Sequence, residues 1–502
     1  MEEKNLNHEI IVKDILKITK GELITGNENL KCSKFLRDTR EVKGGEIYIG
    51  LVGEKANGAD YFEEAFEKGA VGVILQDIKI TEEQKEKYKD KVIIIVNDTL
   101  EALQKIAELK RSLYGENFPV VAVTGSVGKT STKDIIANVL SQKYKTLKTE
   151  GNYNNHIGVP LTILRLEDHE AAVVEMGMNH FGEISVLTNI AKPTLCVITN
   201  IGTSHIGNLG SRENILKSKL EILEGNKQKE IVINNDNDLL HKFNNEKNNE
   251  IKTITYGIEE ESEVYATNIE AKEESSKFIC HINKEEFEVE VPVAGMHFVY
   301  NALCATAVGK RLGLTNEEIK RGIETFELTK KRMDIDVLKN GTKIINDSYN
   351  ASFESMKASI ENLSRYDNRK IAVLGDMFEL GEYSKELHQK VGYEVAKNNI
   401  DILICAGVNA KYIVSKAEEE GMNKENIYYF EDKNEIIKLL QEIITKDDVI
   451  LFKASNGMKF FEIVEELKSE IGVQKSEVGC RKLDVRRRWR NLIYFPKWLW
   501  LI

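Results

Sequence analysis

Residues 119–134 read Pro119-Val-Val-Ala-Val-Thr124-Gly125-Ser126-Val127-Gly128-Lys129-Thr130-Ser131-Thr-Lys-Asp134. The apolar, β-branched run closing at Thr124 predicts a strand, the glycine-containing segment a turn, and the spacing from Ile135 to Leu140 a helix. Strand, loop and helix in that order are the setting of a phosphate-binding loop. Gly125 and Gly128 let the backbone approach phosphate oxygens, and the helix N-terminus adds free N–H groups carrying roughly half a positive charge. Lys129 is placed for the β and γ phosphates, and Thr130 for a magnesium ion. The general pattern G-x-x-x-x-G-K-[ST] asks for glycine at position 123, where this chain has Val123, so the loop is a variant. Thr124, Gly125, Ser126, Val127, Gly128, Lys129, Thr130 and Ser131 are therefore the candidate contacts to a nucleoside triphosphate.

The chain of 502 residues has room for about three domains, each with its own core. A net charge of -11 argues against a broad nucleic-acid footprint, so anionic ligands are met by local cations and helix ends. Six cysteines, at 32, 196, 280, 304, 405 and 480, form no C-x-x-C pair, which fits a reduced, cytoplasmic compartment. Charged residues interrupt the first twenty positions, and no run reaches about 18 apolar residues, so neither export nor a transmembrane span is expected.

Residues 1–108 alternate short strands (46–51, 71–75) with helices (60–68, and one from Asp98 or Thr99 as cap to about 113), a small α/β domain. Its polar turns at 38–40 and 53–58 suit either a phosphorylated ligand or ordinary surface. Residues 109–327 repeat strand and helix, with strands at 120–124, 171–175, 194–200 and 230–234, which predicts a parallel sheet covered on both faces. Ligands bind such sheets beyond the carboxyl ends of the strands, where Glu175 and residues 200–205 fall. Residues 252–292 switch to period two, an antiparallel hairpin insert. Residues 328–472, with strands at 343–346, 370–374, 401–406, 427–430 and 449–453, predict an open Rossmann-like sheet without a G-x-G-x-x-G motif. Residues 473–502 are basic and hold all three tryptophans. They read as an interfacial membrane anchor or, preferred, as a disordered or non-native tail.

Four further clusters could complete a site: Gly151-Asn152-Tyr153-Asn154-Asn155-His156-Ile157-Gly158-Val159-Pro160-Leu161-Thr162, a loop too rich in Asn and Gly for helix or strand; Glu175-Met176-Gly177; Thr199-Asn200-Ile201-Gly202-Thr203-Ser204-His205; and Lys217-Ser218-Lys219-Leu220-Glu221-Ile222. With the phosphate loop they resemble the ATP-dependent amide ligases of the Mur family. The likeness is greatest to the type that adds D-alanyl-D-alanine to a UDP-N-acetylmuramoyl tripeptide. It extends to Gly295-Met296-His297 with Asn301, to Asp347-Ser348-Tyr349-Asn350-Ala351, to Leu374-Gly375-Asp376-Met377, and to residues 453–459.

The resemblance implies a cytoplasmic, monomeric enzyme of peptidoglycan precursor synthesis. ATP phosphorylates the tripeptide carboxylate, and the dipeptide amine then attacks the acyl phosphate. It implies catalytic roles for Lys129, Glu175, His205 and Lys219, with Thr130, Glu175, His205 and a carbamylated Lys219 holding Mg2+. Asn301 would read adenine, and Arg332 and Asp347 would reach the ATP on domain closure about a hinge at 330–332. Thr39, Arg40 and the 53–58 turn would hold the uridine diphosphate. Asn152, Asn154, Asn155 and Thr162 would hold the peptide end, and Tyr349 and Asn350 would complete the substrate contacts. Asn346, Ser352-Phe353, Ala454 and Asn456 depart from the family pattern. Two alternatives remain: a sister ligase adding a single amino acid, of the Mur or folylpolyglutamate type, and a nucleotide-switched binding protein without ligase activity.

Overall fold

The computed structural model describes residues 8–54, 56–327 and 332–474. They fall into two compact units: Met1–Thr329 with Ser352–Ala358 and Phe378–Leu387, and Lys330–Ala351 with Ser359–Met377 and His388–Ile502. Lys55 of the 53–58 turn, residues 330–331 of the expected hinge and residues 475–502 of the expected tail lie outside the described residues. Among the described residues no helix is long and apolar enough to cross a membrane.

The first unit holds two large sheets. The smaller runs Glu22–Thr25, Val92–Ile95, Gly72–Leu75, Ile47–Ile49, Phe35–Leu36, parallel except for its first pair. Phe62, Ala65 and Phe66 pack on Tyr48, Val73 and Leu75 to form its core. The helix predicted over 60–68 begins as a 3-10 turn, Gly58–Tyr61, capped by Asn57, and continues as Phe62–Glu67. Asp98 caps Thr99–Ser112, accepting from the N–H groups of Leu100 and Glu101. Near the end of that helix the buried Arg111 donates to the carbonyls of Ala191, Gly115, Lys192 and Phe118, which fastens it beneath the larger sheet.

The larger sheet runs Glu285–Val291, Ser276–Ile282, Val264–Ala271, Lys252–Gly257, Glu230–Asn234, Leu195–Ile198, Val120–Thr124, Ala171–Glu175, Thr146–Lys148. The continuous apolar runs become its buried parallel strands, covered on both faces. Two expectations are corrected here. Residues 252–292 are not a separate insert: Lys252–Gly257 pairs in parallel with Glu230–Asn234, and the hairpin carries the same sheet out to an edge at Glu285–Val291. The hairpin turns on Asn283 and Lys284, both left-handed, so Glu285 is already in the strand. The second correction concerns the Asn-rich segment, which ends in a helix, Gly158–Leu164. Asn155 Oδ1 accepts from the N–H groups of Ile157 and Gly158, and Pro160 sits in the first turn, where a missing N–H does no harm.

The second unit is one six-stranded sheet, Asp334–Val337, Lys343–Asn346, Val449–Lys453, Lys370–Gly375, Ile402–Ala406, Ile427–Phe430, parallel except for its first pair. Ile344, Val373, Ile404 and Phe452 meet Phe460 and Val464 in its core. Val473 and Gln474, assigned to the tail by the sequence, belong to this fold: Val473 bridges to Leu338, and the Gln474 N–H donates to the Val337 carbonyl.

The helix Lys129–Leu140 that follows the phosphate loop packs against Met296–Arg311 and Asn316–Glu324. At Gly322 a Cβ would lie 2.5 Å from the Val139 Cα. Gly322→Ala gains about 1 kcal/mol of helix propensity, yet the clash is with backbone and overpacking costs about 1–3 kcal/mol. We expect a net loss of stability in urea denaturation; an unchanged or stabilised variant would show that the two helices can part freely.

Candidate active site

The phosphate loop joins the buried strand Val120–Thr124 to the helix Lys129–Leu140. Gly125 has φ 151°, and a Cβ there would fall 1.9 Å from Thr199 Oγ1, so no other residue fits. Gly128, at φ 80°, makes the left-handed turn into the helix. The segment 199–204 grips the loop at five points. Thr199 Oγ1 donates to the Val127 carbonyl (2.6 Å), the Ser126 N–H to the Asn200 carbonyl (3.0 Å) and the Val127 N–H to Asn200 Oδ1 (3.0 Å). The Gly202 N–H donates to Ser126 Oγ (2.9 Å) and Ser204 Oγ to the Ser126 carbonyl (3.2 Å). Lys129 Nζ folds across the loop, donating to the carbonyls of Gly125 (2.7 Å) and Ser126 (3.1 Å). Thr130 and Ser131 are buried in the first helical turn, and the buried Thr124 Oγ1 has no hydrogen-bond partner among the described residues.

Glu175 ends the neighbouring strand, in register with Val123, and is only 2% exposed. Its N–H donates to Thr149 Oγ1 (3.0 Å), and its Oε1 accepts from Asn154 Nδ2 (2.8 Å). Among the described residues Oε2 has no hydrogen-bond partner, and it is buried. A buried anionic oxygen in that condition is costly unless a cation meets it, so the residue fits a hard divalent ion. Lys219, on Arg212–Leu220, is 1% exposed. Burial, and then the charge of Lys129, push its amine well below the ordinary lysine value. The sequence alone suggests a solvated helix lysine; the fold places it in the core beside the loop lysine. His205, left-handed at φ 63°, caps Ile206–Leu209 and pairs through Nδ1 with Glu379. Among the described residues no three His, Cys, Asp or Glu side chains are gathered for a metal.

Asn301 lies on Met296–Arg311, close to Gly128. Its Oδ1 accepts from Thr132 Oγ1 (2.9 Å), while its buried Nδ2 has no partner among the described residues and remains able to donate to a ring nitrogen.

The substrate candidates divide. Thr39 is buried and donates to Glu64 (2.9 Å), and the exposed Arg40 is held by Asp38. Arg37, just before the 38–40 turn, stands 5.9 Å from the Tyr153 ring, and Gln104 Nε2, on Thr99–Ser112, donates to the His156 carbonyl (3.1 Å), so both reach the Asn-rich loop. Asn152 is exposed. Asn154 turns inward to Glu175, Asn155 caps a helix, and the fully buried Thr162 donates back to the Gly158 carbonyl (2.9 Å).

In the second unit Asp347 accepts from Ser359 Oγ (2.7 Å) and from the buried Lys453 Nζ, which also donates to the Asn350 carbonyl (3.1 Å). Arg332 lies 4.1 Å over the Tyr349 ring. Asn346, a departure from the family pattern, accepts from Ser348 Oγ (2.6 Å) and so shapes the same turn. Lys453 is the single lysine that closes the apolar strand Val449–Lys453, a signal present in the sequence. The sequence marked Thr199 and Asn200 as part of a site cluster but not their grip on the phosphate loop, and the hold of Thr149 on Glu175 left no trace there.

The chain matches family models described as Mur ligase family, catalytic domain (residues 37–111), Mur ligase middle domain (residues 123–309) and Mur ligase, glutamate ligase domain (residues 331–456). It is 37% identical over 462 residues to the UDP-N-acetylmuramoyl-tripeptide--D-alanyl-D-alanine ligase of Bacillus subtilis (strain 168), covering 91% of this chain and 98% of that one. Among solved structures it is similar to MurF from Acinetobacter baumannii, with a TM-score of 0.82 and 28% identity over 92% of this chain and 99% of that one. It is also similar to the MurF ligase of Thermotoga maritima in complex with ADP, with a TM-score of 0.75 and 29% identity over 87% of this chain and 97% of that one. With that identity sustained across nearly its whole length, and with that fold, the chain belongs to the Mur ligase family, in its MurF-type branch.

Proposed function

We propose that this protein is the ATP-dependent ligase that joins D-alanyl-D-alanine to a UDP-N-acetylmuramoyl tripeptide in peptidoglycan precursor synthesis. The observation that carries the reading is the juxtaposition, at adjacent strand ends, of the Lys129 phosphate loop and the open, buried oxygen of Glu175. The first step brings a phosphate and a carboxylate together, and both are anions. Catalysis is then a matter of placing positive charge where they meet. Lys129 and the amides of the loop and helix N-terminus supply charge to the phosphates. Thr130, Glu175, His205 and a carbamylated Lys219 would hold Mg2+, which when bound neutralises phosphate oxygens.

Carbamylation requires the neutral amine, and burial of Lys219 beside Lys129 favours that form. Its nitrogen lone pair adds to carbon dioxide and one proton leaves, converting a cation into an oxygen donor. Asn301 Nδ2 donates to the purine. The turns at 38–40 and 53–58 hold the uridine diphosphate, and the neighbouring loop around Asn152 holds the peptide. The acyl phosphate accepts the dipeptide amine and collapses to amide and phosphate, leaving ADP from the first step. The assignments of Arg332, Asp347, Tyr349 and Asn350 rest on family resemblance.

Phosphate release from ATP with the UDP-linked tripeptide is expected to depend on D-alanyl-D-alanine, to yield a product heavier by that dipeptide, and to vanish in Lys129→Ala. Release driven by a single amino acid would assign the protein to a sister ligase, and release indifferent to both would remove ligase activity altogether. A second expectation concerns Lys219. Folding it neutral releases a proton between its lowered value and the ordinary value of about 10.4, so the protein gains stability as pH rises through that interval. Lys219→Met should therefore lose activity in buffer containing bicarbonate, yet in bicarbonate-free buffer melt no lower than the parent at neutral pH. The difference should shrink toward pH ~10; a variant less stable at every pH would contradict the burial argument.

A further inference from the structure

We propose that Asn154 is a positioning residue for Glu175: its amide holds one carboxylate oxygen so that the other is the one presented to a divalent cation. The inference rests on the reading of Glu175 as a metal ligand. Family resemblance gives Asn154 to the peptide, yet its side chain is committed inward. Nδ2 donates to Glu175 Oε1 at 2.8 Å, and the Asn154 carbonyl accepts from the Gly177 N–H, also at 2.8 Å. The amide lies against Gly177, where a Cβ would stand 3.1 Å from Asn154 Cγ and Oδ1 and 3.2 Å from Nδ2. Three contacts therefore rivet Asn154 to the strand end that carries Glu175.

The main chain of Glu175 is fixed independently. Thr149 Oγ1 accepts its N–H, and the Thr149 carbonyl accepts from the buried Lys133 Nζ (2.9 Å), itself 3.1 Å from Asp134. With the backbone set, the remaining freedom is rotation of the carboxylate, and the Asn154 amide removes it. The chemistry of the donor matters. A lysine or arginine here would neutralise the carboxylate and compete with the ion, whereas a neutral amide orients the group and leaves its charge intact. The result is the observed asymmetry: Oε1 occupied, Oε2 buried and, among the described residues, without a partner. Gly177 belongs to the same device, because a Cβ there would press on the amide at 3.1–3.2 Å and push it off its present position by a few tenths of an ångström.

The test is Mn2+ binding to the ADP-saturated protein, followed by electron paramagnetic resonance, alongside the KM for tripeptide. Asn154→Ala and Gly177→Ala should each weaken Mn2+ binding by about 10–100-fold, while KM for tripeptide changes less than about twofold. Asn154→Ser serves in place of the alanine variant if that one does not fold. Asn154→Ala combined with Glu175→Gln should bind Mn2+ no more weakly than Glu175→Gln alone, since both act through one carboxylate. Unchanged Mn2+ affinity in folded Asn154 variants, or a rise confined to KM for tripeptide, would overturn the proposal. Unchanged affinity in Glu175→Gln would instead overturn the reading of Glu175 as a ligand.

Discussion

No methyl group fits between residue 125 and the Thr199 hydroxyl, and the site follows from that contact. Because Gly125 lies directly on the segment after the next strand, the phosphate loop is braced from outside as well as closed upon itself. A chain of this shape would otherwise have to order itself around each incoming anion, at about 1–2 kcal/mol for every residue fixed. The brace meets much of that ordering cost during folding. It also explains why the parallel sheet matters to the chemistry: the strands on either side of Val120–Thr124 end in Glu175 and in the bracing segment, so one register delivers all three parts.

The electrostatics of the site work against the stability of the fold. Lys219 and Glu175 are buried within it, and Lys129 adds a charge that Lys219 feels. An isolated domain gains nothing from such an arrangement, since a buried ionisable group either finds a partner or is driven toward its neutral form. The two groups resolve this in opposite ways. Lys219 is pushed toward neutrality, while Glu175 has one oxygen tied to an amide and the other left open. Each is unsatisfactory alone and suitable for a site whose remaining charges arrive with the ligands, the pattern seen where strain is kept at functional positions.

Much of this was legible in the sequence. The runs at 120–124, 171–175 and 230–234 became the strands they promised because fully buried parallel strands need unbroken apolar residues. The glycine-lysine-threonine turn announced its loop for reasons of backbone conformation. Local pattern reached its limit where contacts were distant. Asn154 reaches Glu175 across 21 positions, Thr199 reaches Val127 across 72, and Lys453 reaches Asp347 across 106. Composition also misled at 151–162: Asn and Gly signalled loop, but an Asn that caps and a Pro in the first turn are also how a helix begins. The edge strands Phe35–Leu36 and Thr146–Lys148 were too short to show periodicity.

The hairpin that lengthens the central sheet leaves one border uncovered by further strands, at Glu285–Val291. That border is dressed with carboxylates, and each is engaged by a neighbour: Glu285 by Lys310, Glu286 by His281, Glu288 by Lys277, Glu290 by Lys272. A foreign strand seeking to add itself there would have to strip water from a row of ion pairs before gaining any backbone hydrogen bond. The extension thus gives the helix Asn316–Glu324 a wider platform, and its charged border disfavours pairing with a foreign strand.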